Sequence, residues 1–396
     1  MTKPAKLWRF DALDTWFFRE PRPADSAGGR EFECIFPPPA RTVAGAVRTL
    51  LGEHAGADWR SSDWKTNNRD VLGRLELRGP YLALNGERLY PVPRLWLAQR
   101  SHDGSRMESL ARLVLDDEPV ETDLGRVYLP GLETPEARDA KPIERVWVRR
   151  EQFERLLAGK LGDSLEMVTA DELFAFESRV GIERSHGTHA AVEEMLYAFG
   201  HVRPRPGTGI EVEVGGLNDD EHPKNGTVRF GAEGRLAAMS LRECSAKVHS
   251  PPPPVDAGDQ RRLLIVFLTH ADFGGHWMPA KTLLEGTDEK GARVWRGAIG
   301  VRVNGEPNSV KLTLRSAVIG KPVREGGWNM GAAKEKDDGK DKDKDPIGSR
   351  KLMSLVPAGS CWFCETDDPD AVRKLHGAKI GFGHELGRGE IAVGYW

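Results

Sequence analysis

The chain has 396 residues, 39% of them hydrophobic and 30% charged, which fits a globular protein long enough for two domains that each bury a core. Its formal charge of −3 excludes a coat protein that grips nucleic acid through massed Lys and Arg, because such affinity comes from neutralising many phosphates. No run of ~18 apolar residues occurs, and Met1-Thr-Lys-Pro4 leads into a strand pattern without a signal-peptide core, which predicts a soluble cytoplasmic protein with no membrane partner.

Residues 7–13 alternate, with Trp8, Phe10 and Ala12 on one face and Arg9 and Asp11 on the other, and predict a half-buried strand. After a soft loop at 25–29 comes Phe36-Pro-Pro-Pro-Ala-Arg-Thr42, an extended run meeting an amphipathic helix. Thr42 is read as its cap, and Val43, Ala46, Val47, Leu50 and Leu51 form its apolar face. The exposed remainder is an amide-rich helix N-terminus beside Arg41, with Arg48 further along and Gly45 open to close approach. It reads either as an anion site or as an ordinary capped helix with a packed glycine.

Residues 71–77 predict a strand, and 80–90 a hairpin turning on Asn85-Gly86. Residues 152–157 read as a short helix. Residues 174–184 read as a strand broken at Gly181, leading through Ser185-His-Gly-Thr-His189 into a helix or turn at 190–197. Three glycine-separated strands are expected within 209–242, then a stiff proline connector at 250–258. The continuously apolar residues 262–269 predict a central strand. Further strands are expected at 310–319, 351–355, 359–365 and 391–396, with a helix at 369–375. The Lys/Asp run at 334–345 has no apolar residue to offset the entropy of ordering and is expected to be disordered. Short strands with few helices predict an α+β fold built on antiparallel sheets.

Four cysteines, at 34, 244, 361 and 364, make no disulfide framework. Cys361-Trp-Phe-Cys364 lacks a second ligand pair for zinc, and its strand pattern points the two thiols to opposite faces, so core cysteines are expected and no metal or cofactor is assigned. His186 and His189 flank a glycine and read either as anion or base contacts or as an exposed pair. The closing Gly381, Gly383, Gly387 and Gly389 surround His384 and Arg388 and run into a strand, which excludes a dinucleotide fingerprint. The loop reads either as a phosphate wrap or as a bulged hairpin.

Taken in order, Phe17-Phe-Arg19, Phe36-Pro-Pro-Pro39 with Thr42 and Ala44-Gly-Ala-Val-Arg48, Arg179-Val-Gly-Ile182, Met195-Leu-Tyr197 with His201-Val-Arg203, Gly320-Lys-Pro322 with Gly327-Trp328, Val356-Pro-Ala-Gly-Ser360 and Glu385-Leu-Gly-Arg-Gly389 resemble the third Cmr subunit family, RAMP proteins of type III-B CRISPR effector complexes. The resemblance implies two ferredoxin-like, RRM-type folds with insertions, placed here at 1–205 and at 206–396, the second with a glycine-rich loop and a disordered insertion near 331–348. It also implies a noncatalytic subunit that holds the repeat-derived 5′ tag of the crRNA, caps the foot of the complex, and touches the large polymerase-like subunit and the backbone RAMP subunits. On that basis RNA contact is expected at Arg41, Thr42, Gly45, Arg48, Arg179, His186, Gly387, Arg388 and Gly389. Trp328 is read as a stacking or core residue, and Asn329 departs from the acidic residue expected there. The alternative is a RAMP endoribonuclease processing CRISPR RNA with His186 or His384 as base.

Overall fold

In a computed structural model, residues 5–21, 31–59, 69–100, 107–123, 125–160, 165–185, 187–243, 261–303, 305–329 and 348–396 are described. Two antiparallel sheets organise them. The first runs Asn225–Arg229, Leu236–Glu243, Lys6–Ala12, Thr208–Gly215, Glu76–Leu84, Glu87–Arg88. Its inner four strands, numbered by position in the chain, stand in the order 4-1-3-2, the order of a ferredoxin-like βαββαβ unit. The helix Ala40–His54 fills the first crossover, and the short strand Asn225–Arg229 lies in the second, where that unit has its other helix.

The second sheet runs Leu283–Thr287, Arg293–Val303, Glu306–Val318, Cys361–Glu365, Arg262–Phe267, Ile391–Tyr395. Its last four strands repeat the 4-1-3-2 order. Here the second crossover keeps its helix, Ala371–Leu375, while a hairpin occupies the first. The fold is α+β with antiparallel sheets, as expected, and each half keeps a different one of the two ferredoxin-like helices.

Sheet membership moves the expected domain boundary. Strands Thr208–Gly215, Asn225–Arg229 and Leu236–Glu243 pair within the first sheet, so the first unit extends to Glu243 rather than 205. A long insertion separates its second and third strands. Part of that insertion crosses to the other half, where Tyr90, Trp96, Phe153 and Leu157 pack on Leu264, Val266, Cys361 and Phe363. The opposite face of the same sheet, with Leu263, Ile265, Phe267, Trp362 and Cys364, forms a third core. Burial on both faces explains the unbroken apolar run, since such a strand has no solvated side to alternate with. It also sends Cys361 and Cys364 into different cores, as their strand spacing predicts.

Two local readings change. Of residues 190–197, expected as helix or turn, 191–197 belong to the strand Ala191–Pro204, which pairs antiparallel with Phe174–Arg184. Residues 71–74 are helical, within Arg69–Arg74, and the strand begins at Glu76. The outer face of Lys6–Ala12 is covered: Arg9 is buried, bonded to Asp11 at 2.9 Å and facing Glu211 at 3.5 Å. The hairpin forms at Asn85-Gly86, both with positive φ, as that dipeptide predicts. The expected loop at 25–29, the proline connector and the Lys/Asp run lie outside the described residues.

Candidate nucleic-acid interface

The helix Ala40–His54 buries Val43, Ala44, Val47, Leu50 and Leu51 in the first core. Thr42 does not cap it. The helix starts two residues earlier, with Pro39 as N-cap and no side-chain cap bond. The Pro39 carbonyl accepts from the Thr42 and Val43 amides at 2.9 and 3.3 Å. An extended proline run fixes the entry of the chain, and Ala40, a strong helix former, prolongs the helix to meet it. Because no acidic residue stands in the first turn, the positive end of the helix dipole is left without an anion of its own.

On the solvent side of this helix Gly45 is exposed, and a Cβ there would meet nothing within 4 Å. Arg48 is partly exposed; burial lowers its pKa, opposed by the charge of Glu385, with Arg41 adding to the lowering. Glu385 belongs to the closing loop, whose turn His384–Leu386 packs on the helix and on strand Glu76–Leu84, with Leu386 in the first core. The two glycine-bearing segments, drawn from opposite ends of the chain, therefore meet.

Their junction is ionic. Arg41 Nε lies 3.4 Å from Glu325 Oε1 with about a third of its side chain exposed, whereas Arg388 is 2% exposed and donates to the same oxygen, its other nitrogen 3.5 Å from Asp272 Oδ2. Two guanidiniums against two carboxylates leave the cluster neutral. Arg388, expected as an RNA contact, is held as a strut, turned inward because Glu325 and Asp272 are both buried beside it. The glycines at 387 and 389 face the chain as well: a Cβ at Gly387 would lie 2.2 Å from the Gly79 carbonyl oxygen, and one at Gly389 1.9 Å from that of Ile380. Their lack of side chain admits the protein's own backbone.

A cavity of about 220 Å³ opens at this junction. Pro38 and Ala40 bring the uncapped helix end to its wall, and Arg94, Arg145, Lys321 and Arg388 supply cations. Three of these, Arg94, Arg145 and Lys321, were not singled out from sequence. The only signal was the place of Lys321 in the Gly320-Lys-Pro322 motif, since Arg94 and Arg145 reach the cavity only through the folding of the insertion. His270 also lines it; burial, then the charges of Arg388 and Arg94, hold its pKa down to about 4, and its Nδ1 accepts from the Ala358 amide at 3.0 Å.

Arg179 stands apart, on the hairpin formed by Phe174–Arg184 and Ala191–Pro204. It bonds Glu177 at 2.9 Å and Asp14 at 3.1 Å, and Asp14 also pairs with Arg203 and Arg235. Three arginines on two carboxylates leave one positive charge. Arg179 lies roughly 17 Å along the strand from Phe174, whose ring packs on Phe36 just before the helix. His186 falls outside the described residues. In the closing loop His384 is held below the usual imidazole range by burial and then by Lys379. No helix among the described residues is long and apolar enough to cross a membrane.

No curated protein matches the chain. Among solved structures, chains of "Type III-B Cmr-beta bound to cognate target RNA and AMPPnP, state 1" and of "Type III-B Cmr-beta bound to cognate target RNA" are similar to it, at 12% and 13% identity with TM-scores of 0.43 and 0.42, each over 90% of this chain and 86% of the other. The model of the CRISPR-associated protein (Cas_Cmr3) family matches residues 8–396, and the chain belongs to that family.

Proposed function

We propose that this chain is a noncatalytic RNA-holding subunit of a type III-B Cmr effector complex, seating the repeat-derived 5′ tag of the crRNA while it contacts the large polymerase-like subunit and the backbone RAMP subunits. The observation that carries the reading is the convergence of an uncapped helix N-terminus with the closing loop at a cavity lined by Arg94, Arg145 and Lys321. Single-stranded RNA is held by backbone amides and a few placed cations or aromatic planes, so a net charge of −3 is no obstacle. In this reading Arg41, Thr42, Gly45 and Arg48 present the helix face to the strand, and Gly387, Arg388 and Gly389 fix the loop beside it. Arg179 meets the RNA further along the hairpin, and His186 is a further RNA contact in this reading.

The test is reconstitution of the complex with Arg41→Glu, Arg48→Glu or Lys321→Glu, followed by crRNA occupancy and crosslinking across a salt series. Lower occupancy and lost tag crosslinks are expected, with thermal unfolding of the isolated chain unchanged for Arg48→Glu and Lys321→Glu and lowered for Arg41→Glu, whose new carboxylate faces the buried Glu325. Unchanged occupancy and salt dependence in all three variants refute the site. Metal-independent cleavage of repeat RNA that disappears in His186→Ala or His384→Ala refutes the noncatalytic reading.

A further inference from the structure

Where the end of the chain meets the first unit, three consecutive residues of strand Glu76–Leu84 each touch the segment 377–390. A short strand covers this edge only at Ala83 and Leu84, so around Leu77 the covering is done by that segment instead. Arg78 donates to the Gly377 carbonyl at 2.6 Å and to Glu390 Oε1 at 2.9 Å. The Gly79 carbonyl takes up the space that a Cβ at Gly387 would fill. Lys379 donates from Nζ to the Leu77 carbonyl and, at 3.2 Å, to the His384 carbonyl. Its ammonium thereby joins a strand of the first sheet to the turn His384–Leu386, which packs on the helix Ala40–His54.

The first two contacts suit a structural seam: an arginine faces a carboxylate, and bare backbone meets bare backbone. The third does not. Lys379 is 8% exposed, and among the described residues no carboxylate forms an ion pair with it, Glu390 being taken by Arg78. Burial lowers the pKa of Lys379 to about 8 and Arg78 adds to the lowering, while Glu390, Glu76 and Glu213 oppose it. Arg302 stands opposite it in the ladder, and from the turn comes His384, itself held below the usual imidazole range. A buried cation without an anion of its own weakens a fold, and a methionine of similar length would fill the same space without that penalty. What methionine lacks is a donor for two carbonyls at once. An apolar seam holds two surfaces together but lets them slide, whereas a bridge between two carbonyls fixes their register.

We infer that Lys379 is a positioning residue of the RNA site, its ammonium setting the turn His384–Leu386 against the first sheet where helix and loop meet. The inference rests on the reading of this junction as the RNA-holding site. Lys379 touches no RNA. It acts through the turn, which carries Leu386 into the first core and brings the charge of Glu385 to Arg48. Displacing the turn moves that charge and the backbone around Gly387. RNA binding then weakens although folding stability does not, the reverse of what a purely structural lysine shows.

The test compares wild type, Lys379→Met and Arg41→Glu, as isolated chains and in the reconstituted complex. For Lys379→Met the expected result is roughly ten-fold weaker guide binding with an unchanged salt slope, and a Tm at pH 7 within roughly 4 °C of wild type. Hydrogen exchange should quicken at the Leu386 and Gly387 amides and stay unchanged in the strands of both sheets. Raising the pH from 7 to 10 should stabilise the wild type relative to Lys379→Met, because the folded ammonium gives up its proton near 8 and the unfolded one only near 10.5. Full guide binding in Lys379→Met, with weakened binding in Arg41→Glu, overturns the positioning role and leaves the site standing. Full binding in both variants overturns the site and the positioning role together. A lower salt slope in Lys379→Met makes the lysine a phosphate contact, and a much lower Tm or exchange that quickens throughout the chain makes it a general fold element. Either result overturns the positioning role, as does a Tm difference that stays constant across that pH range.

Discussion

Replacing Arg388 by methionine removes the cation from a cluster in which Glu325 is 5% and Asp272 8% exposed. Breaking a buried ion pair from one side costs about 3–5 kcal/mol, because the charge left behind stays desolvated. Arg41, 3.4 Å from the same Glu325 oxygen, and the Gly274 amide, 2.9 Å from Asp272, offset part of that cost and place the expectation near ~3 kcal/mol. For a folding unit of this size that is a fall in Tm of roughly 6–12 °C. The double variant Arg388→Met/Glu325→Met removes the stranded carboxylate and should recover at least half of the loss. Guide binding by the assembled complex separates strut from contact: Arg388→Met, assayed well below its Tm, should keep the salt slope, whereas Arg41→Gln should lower it by roughly 0.7. A Tm within 2 °C of wild type, a double variant no better than the single one, or a lower slope for Arg388→Met would each refute the reasoning.

Two glycines should respond in opposite directions: Gly45→Ala, on an open helix face, should stabilise by up to ~1 kcal/mol, while Gly387→Ala, aimed at the Gly79 carbonyl with φ +88°, should fail to give a folded loop, both read by thermal unfolding. His270 binds its proton less readily folded than unfolded, its folded pKa being about 4, so its contribution is intact above pH 6.5 and is lost as pH falls toward 4. Urea unfolding at pH 7 and pH 5 should show ~2 kcal/mol of that loss, and His270→Asn, which keeps an acceptor for Ala358, should flatten the slope. Burial raises Cys361 to about 12 and Cys364 further still. Both thiols should therefore react with a disulfide reagent only as fast as the chain unfolds, and rapid modification of the native protein would contradict their placement.

What the sequence made legible was local or strongly patterned. An apolar run of strand length, an Asn-Gly turn, an amphipathic helix and two cysteines three apart each encode their own geometry, and the structure bears them out. The misreadings lie where distant pairing decides. Residues 191–197 are rich in Ala, Glu, Met and Leu, good helix formers, yet their register against Phe174–Arg184 makes them strand, because β-structure is set by neighbours more than by propensity. The domain boundary was hidden for the same reason: only the sheet reveals that Thr208–Gly215 pairs with Lys6–Ala12. At the site, the helix and the loop were each visible, but nothing in the order of residues says that Arg41 and Arg388 share Glu325. The sequence therefore offers Arg388 as an RNA contact, and carries no sign that Arg94 and Arg145 line the same cavity.

The first helix is synthesised long before the closing loop that packs on it. A nascent chain that has emerged only as far as Glu243 holds every strand of its first sheet, but lacks Leu386, Glu325 and Arg388. Its first hydrophobic core has a gap, and Arg41 has no carboxylate to steady it. The groove that would receive RNA is completed only once the closing loop has been made, so a polypeptide that stops short of Arg388 would be a poor competitor for guide strands.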